Sequence, residues 1–118
     1  MNFMVIKMKC LNFKKKYKSL LKEGKKVATL RMGTKNYKKD EIVKIIAGGE
    51  YIGKARIVEV RQIPWKEINR KDVLMEGMKR KKDLEKELKA IYGKFGKNRV
   101  FTQIVFEIIG DENGGGKV

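Results

Sequence analysis

The segment EGKKVATLR, Glu23 to Arg31, holds four residues whose types and spacing can do chemistry: Gly24, Lys26, Thr29 and Arg31 spell G-x-K-x-x-T-x-R. If the segment after Lys26 is a strand, Thr29 and Arg31 project from the same face, because side chains alternate along a strand. Lys26 has the wrong parity for that face. Just after a turn glycine parity is not fixed, however, and a flexible four-carbon stem can reach across to Thr29. An ammonium, a hydroxyl and a guanidinium then converge on one small volume. Such a set suits a phosphate, a carboxylate or a carbonyl oxygen. A lysine placed there can also act as a base toward the threonine hydroxyl. The plainer alternative is a solvated strand start in a lysine-rich protein.

The rest of the sequence narrows the chemistry. There is no histidine, and Cys10 is the only cysteine. An intrachain disulfide is therefore excluded, as are zinc sites built from Cys and His and any Ser-His or Cys-His couple. Proton transfers in an enzyme with this composition must run through Lys, Asp, Glu or Tyr. No metal and no organic cofactor is expected. Cys10 lies in an apolar run and reads as a buried structural thiol.

The 118 residues predict one domain, and the formal charge of +16, from 30 basic and 14 acidic residues, predicts a polyanionic partner. A lysine-rich proteome would raise Glu together with Lys, whereas here only the basic side is high. Nucleic acid is the commonest polyanion. No apolar run approaches the roughly 20 residues of a membrane span, so no membrane partner is expected. The first ten residues, MNFMVIKMKC, place Lys7 and Lys9 inside the apolar stretch and lack a small-residue cleavage site. A cytoplasmic monomer is the expectation.

The elements that must position these residues read as follows. MVIKMKCL opens as a strand. In NFKKKYKSLLKEG, Phe13, Tyr17, Leu20 and Leu21 share a helical face, with Asn12 as N-cap and Gly24 as the stop. KVATLRMG and EIVKIIA read as strands, Gly48 to Glu50 as a hairpin, and YIGKARIVEVRQI as a long strand with a bend at Gly53. Residues 65–82 form a polar connection with short helical pieces. DLEKELKAIYG is a second helix with Leu84, Leu88 and Ile91 on one face, a Glu85–Lys89 pair and Gly93 as its stop. RVFTQIVFEII is the last strand, with Val100, Ile104, Phe106 and Ile108 on one side and Thr102 among them. The order β-α-β-β-β-α-β predicts an α+β fold: a small open β-barrel of about five to six mostly antiparallel strands with two main helices at its ends. Residues 1–110 form the domain and 111–118 a flexible tail.

On Gly24, Lys26, Thr29 and Arg31, directly after an amphipathic helix and opening a strand, the sequence resembles the ASCH domain family of the PUA-like superfamily. Asp40 before EIVKI stands where the family has a turn Asp, with Lys39 in place of the usual preceding Gly. The segment MEGM, Met75 to Met78, resembles the family's Glu-Gly-aromatic segment, with Met78 in place of the aromatic. The resemblance runs from about Met4 to Ile109. It implies a PUA-like barrel with a cleft, and RNA or a modified nucleoside as the ligand. Small members of the family are amidohydrolases that remove the acetyl group of N4-acetylcytidine with a Lys, a Thr and a Glu. Residue by residue, these map to Lys26, Thr29 and Glu76, with Glu67 the less suited alternative to Glu76. A metal-dependent ribonuclease activity has been attributed to at least one member.

The basic residues lie in two runs. Lys9 to Lys26 carries eight lysines against Glu23 alone, and Lys79 to Arg99 carries nine basic residues against three acidic ones. With both at the barrel mouth, Lys14, Lys18, Lys25, Lys26, Arg31 and Arg80 are the expected RNA contacts, and Tyr37 and Trp65 the first candidates for base stacking. The leading expectation is an RNA-binding module whose basic cleft accepts a nucleotide or modified base. Amide hydrolysis by Lys26, Thr29 and Glu76 comes second. Ribonuclease activity comes last, because carboxylates are sparse.

Overall fold

A computed structural model describes residues 8–110. The beginning of the expected first strand, residues 4–7, and the tail, 111–118, lie outside the described residues. Five strands form one mixed, curled sheet: β1 (Cys10–Phe13), β2 (Ala28–Met32), β3 (Ile42–Ala47), β4 (Glu50–Pro64) and β5 (Val100–Gly110). Their order in the sheet is β1-β3-β4-β5-β2, and the sheet forms a half-barrel. Three pairings are antiparallel; β1 and β3 run parallel. The helices are α1 (Lys18–Lys22), α2 (Arg70–Met75) and α3 (Lys81–Tyr92).

Most elements follow local chemistry. Gly48 and Gly49 turn β3 into β4, and the register slips at Gly53, where Ile45 pairs with Gly53 but Ile46 with Tyr51. That slip is the bend the glycine predicts. The start of α2 is fixed by a reciprocal pair: Asn69 accepts from the Asp72 N–H, and Asp72 accepts from the Asn69 N–H. Glu85 and Lys89 pair across one turn of α3 at 3.1 Å.

The first helix is shorter than its periodicity predicts. Asn12 and Phe13 belong to β1, and a single 3₁₀ turn, Lys15–Tyr17, leads into α1. The apolar spacing from Phe13 to Tyr17 is thus an accident of strand followed by turn. Asn12 caps nothing, since pairing with β3 claims its backbone. Gly24 does end the helical stretch, with a φ of 72°. The turn before β3 also takes its own form: Asp40, not Lys39, adopts the positive φ, 71°, and its N–H donates to Ile57 O.

Two apolar clusters hold the half-barrel. The inner one gathers Leu11, Tyr17, Leu21, Ile45, Ile57, Ile104 and Phe106. The other packs Leu30, Ile63, Trp65, Val73, Leu84, Leu88 and Phe101 beneath α2 and α3. Strand β5 feeds both, so Phe101 to Ile104 are all buried, while Val100 and Ile108 at its ends are exposed. The expectation of one buried side with Val100 and Ile108 on it is corrected here: helices cover the far face of the strand's first half. Among the described residues, no helix is long and apolar enough to cross a membrane.

Candidate active site at the seam of the half-barrel

Among the described residues the sheet does not close. Its two edges, β1 and β2, face each other across a seam. Arg31 spans it: Nη2 donates to Asn12 O on β1 at 3.0 Å, and Nε donates to Thr29 Oγ1 at 3.0 Å. The guanidinium lies 5.2 Å from the Phe13 ring centroid. Thr29 and Arg31 do share a face of β2.

Beside the seam lies a cavity of about 300 Å³. Lys26, Thr29, Arg31 and Glu76 supply its polar wall, with Glu87 at its rim. Phe13, Met78, Leu84, Leu88 and Ile91 supply much of the apolar wall. Three consecutive residues, Thr29, Leu30 and Arg31, line it, so it reaches around the free edge of β2.

Lys26, Thr29 and Glu76 are 4 %, 6 % and 3 % exposed. Lys26 Nζ donates to Glu76 Oε1 at 2.9 Å and to the Glu76 carbonyl at 3.1 Å. It also sits 4.7 Å from the Tyr17 ring centroid and 5.6 Å from that of Phe13. The hydroxyl of Thr29 is held by Arg31 rather than by Lys26. Burial raises the Glu76 carboxyl above its ordinary value, against the pull of Lys26 and Arg31. Its second oxygen, Oε2, is buried without a partner among the described residues.

Gly77 makes this pairing possible. Its φ is 84°, and a Cβ there would meet Leu20 Cδ1 at 3.2 Å and Lys26 Cβ at 3.4 Å. The end of α2 therefore presses against the start of β2, where Val27 N–H donates to Met75 O at 2.8 Å. Met78, in the place of an aromatic, lines the cavity.

A second carboxylate was not singled out by sequence. Glu87 on α3 pairs with Lys14 at 3.0 Å and Lys16 at 2.8 Å, and Tyr17 donates its hydroxyl to it. Burial works upward on the Glu87 carboxyl, but these three partners bring it down to about 2. Burial and the same carboxylate push the Tyr17 hydroxyl well up, keeping it protonated as a donor. The helical face that groups Leu84, Leu88 and Ile91 also contains position 87, so periodicity carried the signal.

The expected RNA contacts fare unevenly. Arg31, Lys26 and Lys14 line the cavity. Lys18 pairs with Glu50, Lys25 with Glu23 and Arg80 with Asp83, and none of these three lines it. Trp65 is 6 % exposed and packed edge-on against Phe95 and Phe101. Its role as a stacking surface is corrected to that of a core residue. Tyr37 is half-buried, its hydroxyl donating to Cys10 O at 3.0 Å, and it too lies outside the cavity. Among the described residues, no group of three or more His, Cys, Asp or Glu is placed to hold a metal ion.

No family model and no curated protein matches the sequence. Solved structures do match. Protein EF3133 from Enterococcus faecalis V583, described by the family model DUF984, superposes with a TM-score of 0.69 at 16 % identity, over 91 % of this chain and 84 % of its own. The hypothetical protein PH0355 gives a TM-score of 0.63 at 24 % identity, over 86 % and 100 %. An ASCH domain from Lactobacillus crispatus JV V101 gives 0.61 at 13 % identity, over 82 % and 79 %. The half-barrel carrying the Lys26, Thr29 and Glu76 cavity therefore has the fold of an ASCH domain.

Proposed function

We propose that the cavity binds a single nucleobase or nucleoside bearing an acyl amide and hydrolyses that amide. N4-acetylcytidine is the substrate implied by the sequence resemblance. One observation carries this reading: three polar side chains, Lys26, Thr29 and Glu76, each at least nine-tenths buried, meet on the wall of one cavity. A buried ion pair generally stabilises a fold no better than apolar packing of the same volume, so its presence beside a cavity points to use. The volume lies at the lower end of small-molecule sites, about 300–1,000 Å³, which suits one base and not a run of them.

The chemistry follows from the pairings. Burial raises the Glu76 carboxyl and so favours its protonated form, which suits it to take up and hand on a proton. Lys26 passes a proton to Glu76 across their 2.9 Å hydrogen bond. The free amine takes the proton of Thr29, and Thr29 Oγ1 bonds to the acyl carbon. The carbonyl electron pair moves to oxygen, where the Arg31 guanidinium stabilises it. As the C–N bond breaks, Glu76 delivers its proton to the departing exocyclic nitrogen. Water then attacks the acyl-threonine and gives a proton to Glu76. Thr29 leaves with the Lys26 proton, acetic acid is released, and a proton returns from Glu76 to Lys26. Incubation with N4-acetylcytidine should yield cytidine, and Lys26→Ala and Thr29→Ala should each slow this by at least about 10²-fold. A folded wild-type protein that produces no cytidine would sink the hydrolytic reading.

A second reading, RNA binding, is supported by the charge of +16. It predicts an affinity for single-stranded RNA that falls steeply with added salt. Binding that ignores salt would count against it.

A further inference from the structure

We infer that RNA is held by a basic surface at one end of the half-barrel, made by the loop after α3 and the loop after β2, and that the cavity reads a base within that bound strand. This rests on the RNA-binding reading above. The starting point is which cations are free. Of the expected contacts, Lys14, Lys18, Lys25 and Arg80 each have an acidic partner. The carboxylate beside each of these cations offsets its charge and weakens its attraction for a phosphate. Several exposed cations have no ion-pair partner among the described residues, Lys22, Lys71 and Lys82 included, but Lys35, Lys66, Lys94, Lys97 and Arg99 are the ones that fall on adjoining segments. The neighbouring acid in sequence, Glu67, pairs with none of them.

Hydrogen bonds tie the segments of Lys35, Lys66, Lys97 and Arg99 to one another, and Lys94 lies in the same loop as Lys97 and Arg99. Arg99 O accepts from Trp65 N–H at 2.8 Å, and Lys97 O accepts from Lys66 N–H at 2.9 Å. Gly33 N–H donates to Val100 O at 3.1 Å. Thr102 Oγ1 accepts from Lys35 N–H at 3.2 Å and donates to Gly33 O. Gly33, Gly96, Lys97, Asn98 and Arg99 line an open depression there. The surface offers point charges and one guanidinium, and the loop's aromatic, Phe95, is engaged edge-on with Trp65 and Phe101, so it suits phosphates rather than bases.

The same two segments lead back to the cavity. Arg31 lines it, and Gly33 follows two residues later, about 7 Å of strand. Ile91 and Tyr92 line it, and Lys94 follows within two residues. A nucleotide whose base enters the cavity can therefore lay its flanking phosphates on Lys35 and Lys94 to Arg99.

The test compares two triple variants of equal charge change in the full chain, with a labelled single-stranded RNA of about 15 nucleotides. Lys94→Glu, Lys97→Glu, Arg99→Glu should weaken binding at least about tenfold and reduce the log–log salt slope by about 2. Lys18→Glu, Lys25→Glu, Arg80→Glu should change affinity less than about threefold. A Gln triple at 94, 97 and 99 guards against misfolding and should show the same slope change. Equal losses in both triples would overturn the location while leaving RNA binding intact. A wild-type protein that binds no RNA at low salt would overturn both, and so would binding to phosphatidylserine vesicles in its place.

Discussion

Helix α2 carries a buried carboxylate at each end, and the two are treated oppositely. Asp72, in its first turn, is 2 % exposed and fully engaged. Its Oδ1 accepts from Arg61 at 2.7 Å and from Gln103 at 3.0 Å, and its Oδ2 accepts from Asn69 N–H at 3.0 Å. Burial opposes its charge, but the Asn69 N–H, Gln103 and Arg61 hold its carboxyl below the ordinary value. Glu76, at the other end, has one partner side chain and one empty oxygen, and burial raises its carboxyl. The desolvation cost is common to both, and the number of donors decides the outcome. Asp72 is built to hold the fold together, whereas Glu76 is left with a proton affinity and a vacancy that a ligand can use.

The largest effect that would break this contrast is on turnover. Thr29→Ala should abolish nucleoside hydrolysis, by on the order of 10³-fold, yet shift the urea midpoint only modestly, because one hydroxyl and one methyl are lost. Asp72→Ala should do the reverse. It removes a helix cap and leaves Gln103 buried without its acceptor, costing about 3 kcal/mol in urea unfolding, while the folded fraction keeps its turnover. Lys26→Met should destabilise by a comparable amount, since it strands a buried carboxylate. Adding Glu76→Gln to it should restore wild-type stability or better, with activity still absent. If the double variant is no more stable than the single one, the pair is structural and the contrast fails.

The smallest effects concern pH. Asp72's folded value is depressed, so its stabilisation is complete above the unfolded value of about 3.9 and is lost as pH falls through the lower folded value. Asp72→Asn should flatten that acid limb of the urea midpoint. Glu76's folded value is raised, so the folded state keeps a proton that the unfolded state releases. Its contribution is favourable on the acid side and declines as pH rises from about 4.3 through the folded value. The penalty of Lys26→Met should accordingly shrink as pH is lowered, because a protonated Glu76 needs no counter-ion.

Local signals made much of this legible. The signature residues, the hairpin, α3 and its Glu85–Lys89 pair all follow from spacing and turn glycines. Lys26, Thr29 and Glu76, the last far from the others in sequence, all line one cavity. What escaped was set by distant partners. Phe13 fits a helical stripe until β3 claims it as a strand neighbour. Trp65 reads as a ready stacking ring until Phe95 and Phe101 enclose it. Lys18 reads as a free cation, but Glu50, 32 residues away, pairs with it. Ion pairing on a crowded basic surface is decided by the few available acids, and composition does not reveal which lysines they choose.

The sheet order has a consequence for how the site is assembled. Among the described residues, strand β2 hydrogen-bonds in the sheet to β5 alone, Ala28 opposite Val105 and Met32 opposite Phe101. Thr29 and Arg31 thus emerge early during synthesis but have no strand to rest on until the last one is made. Contacts of such sequence separation form late, because loop closure must precede their reward. The candidate site waits on strand β5, and a nascent or truncated copy ending before residue 100 would carry the whole signature with β2 lacking its strand partner.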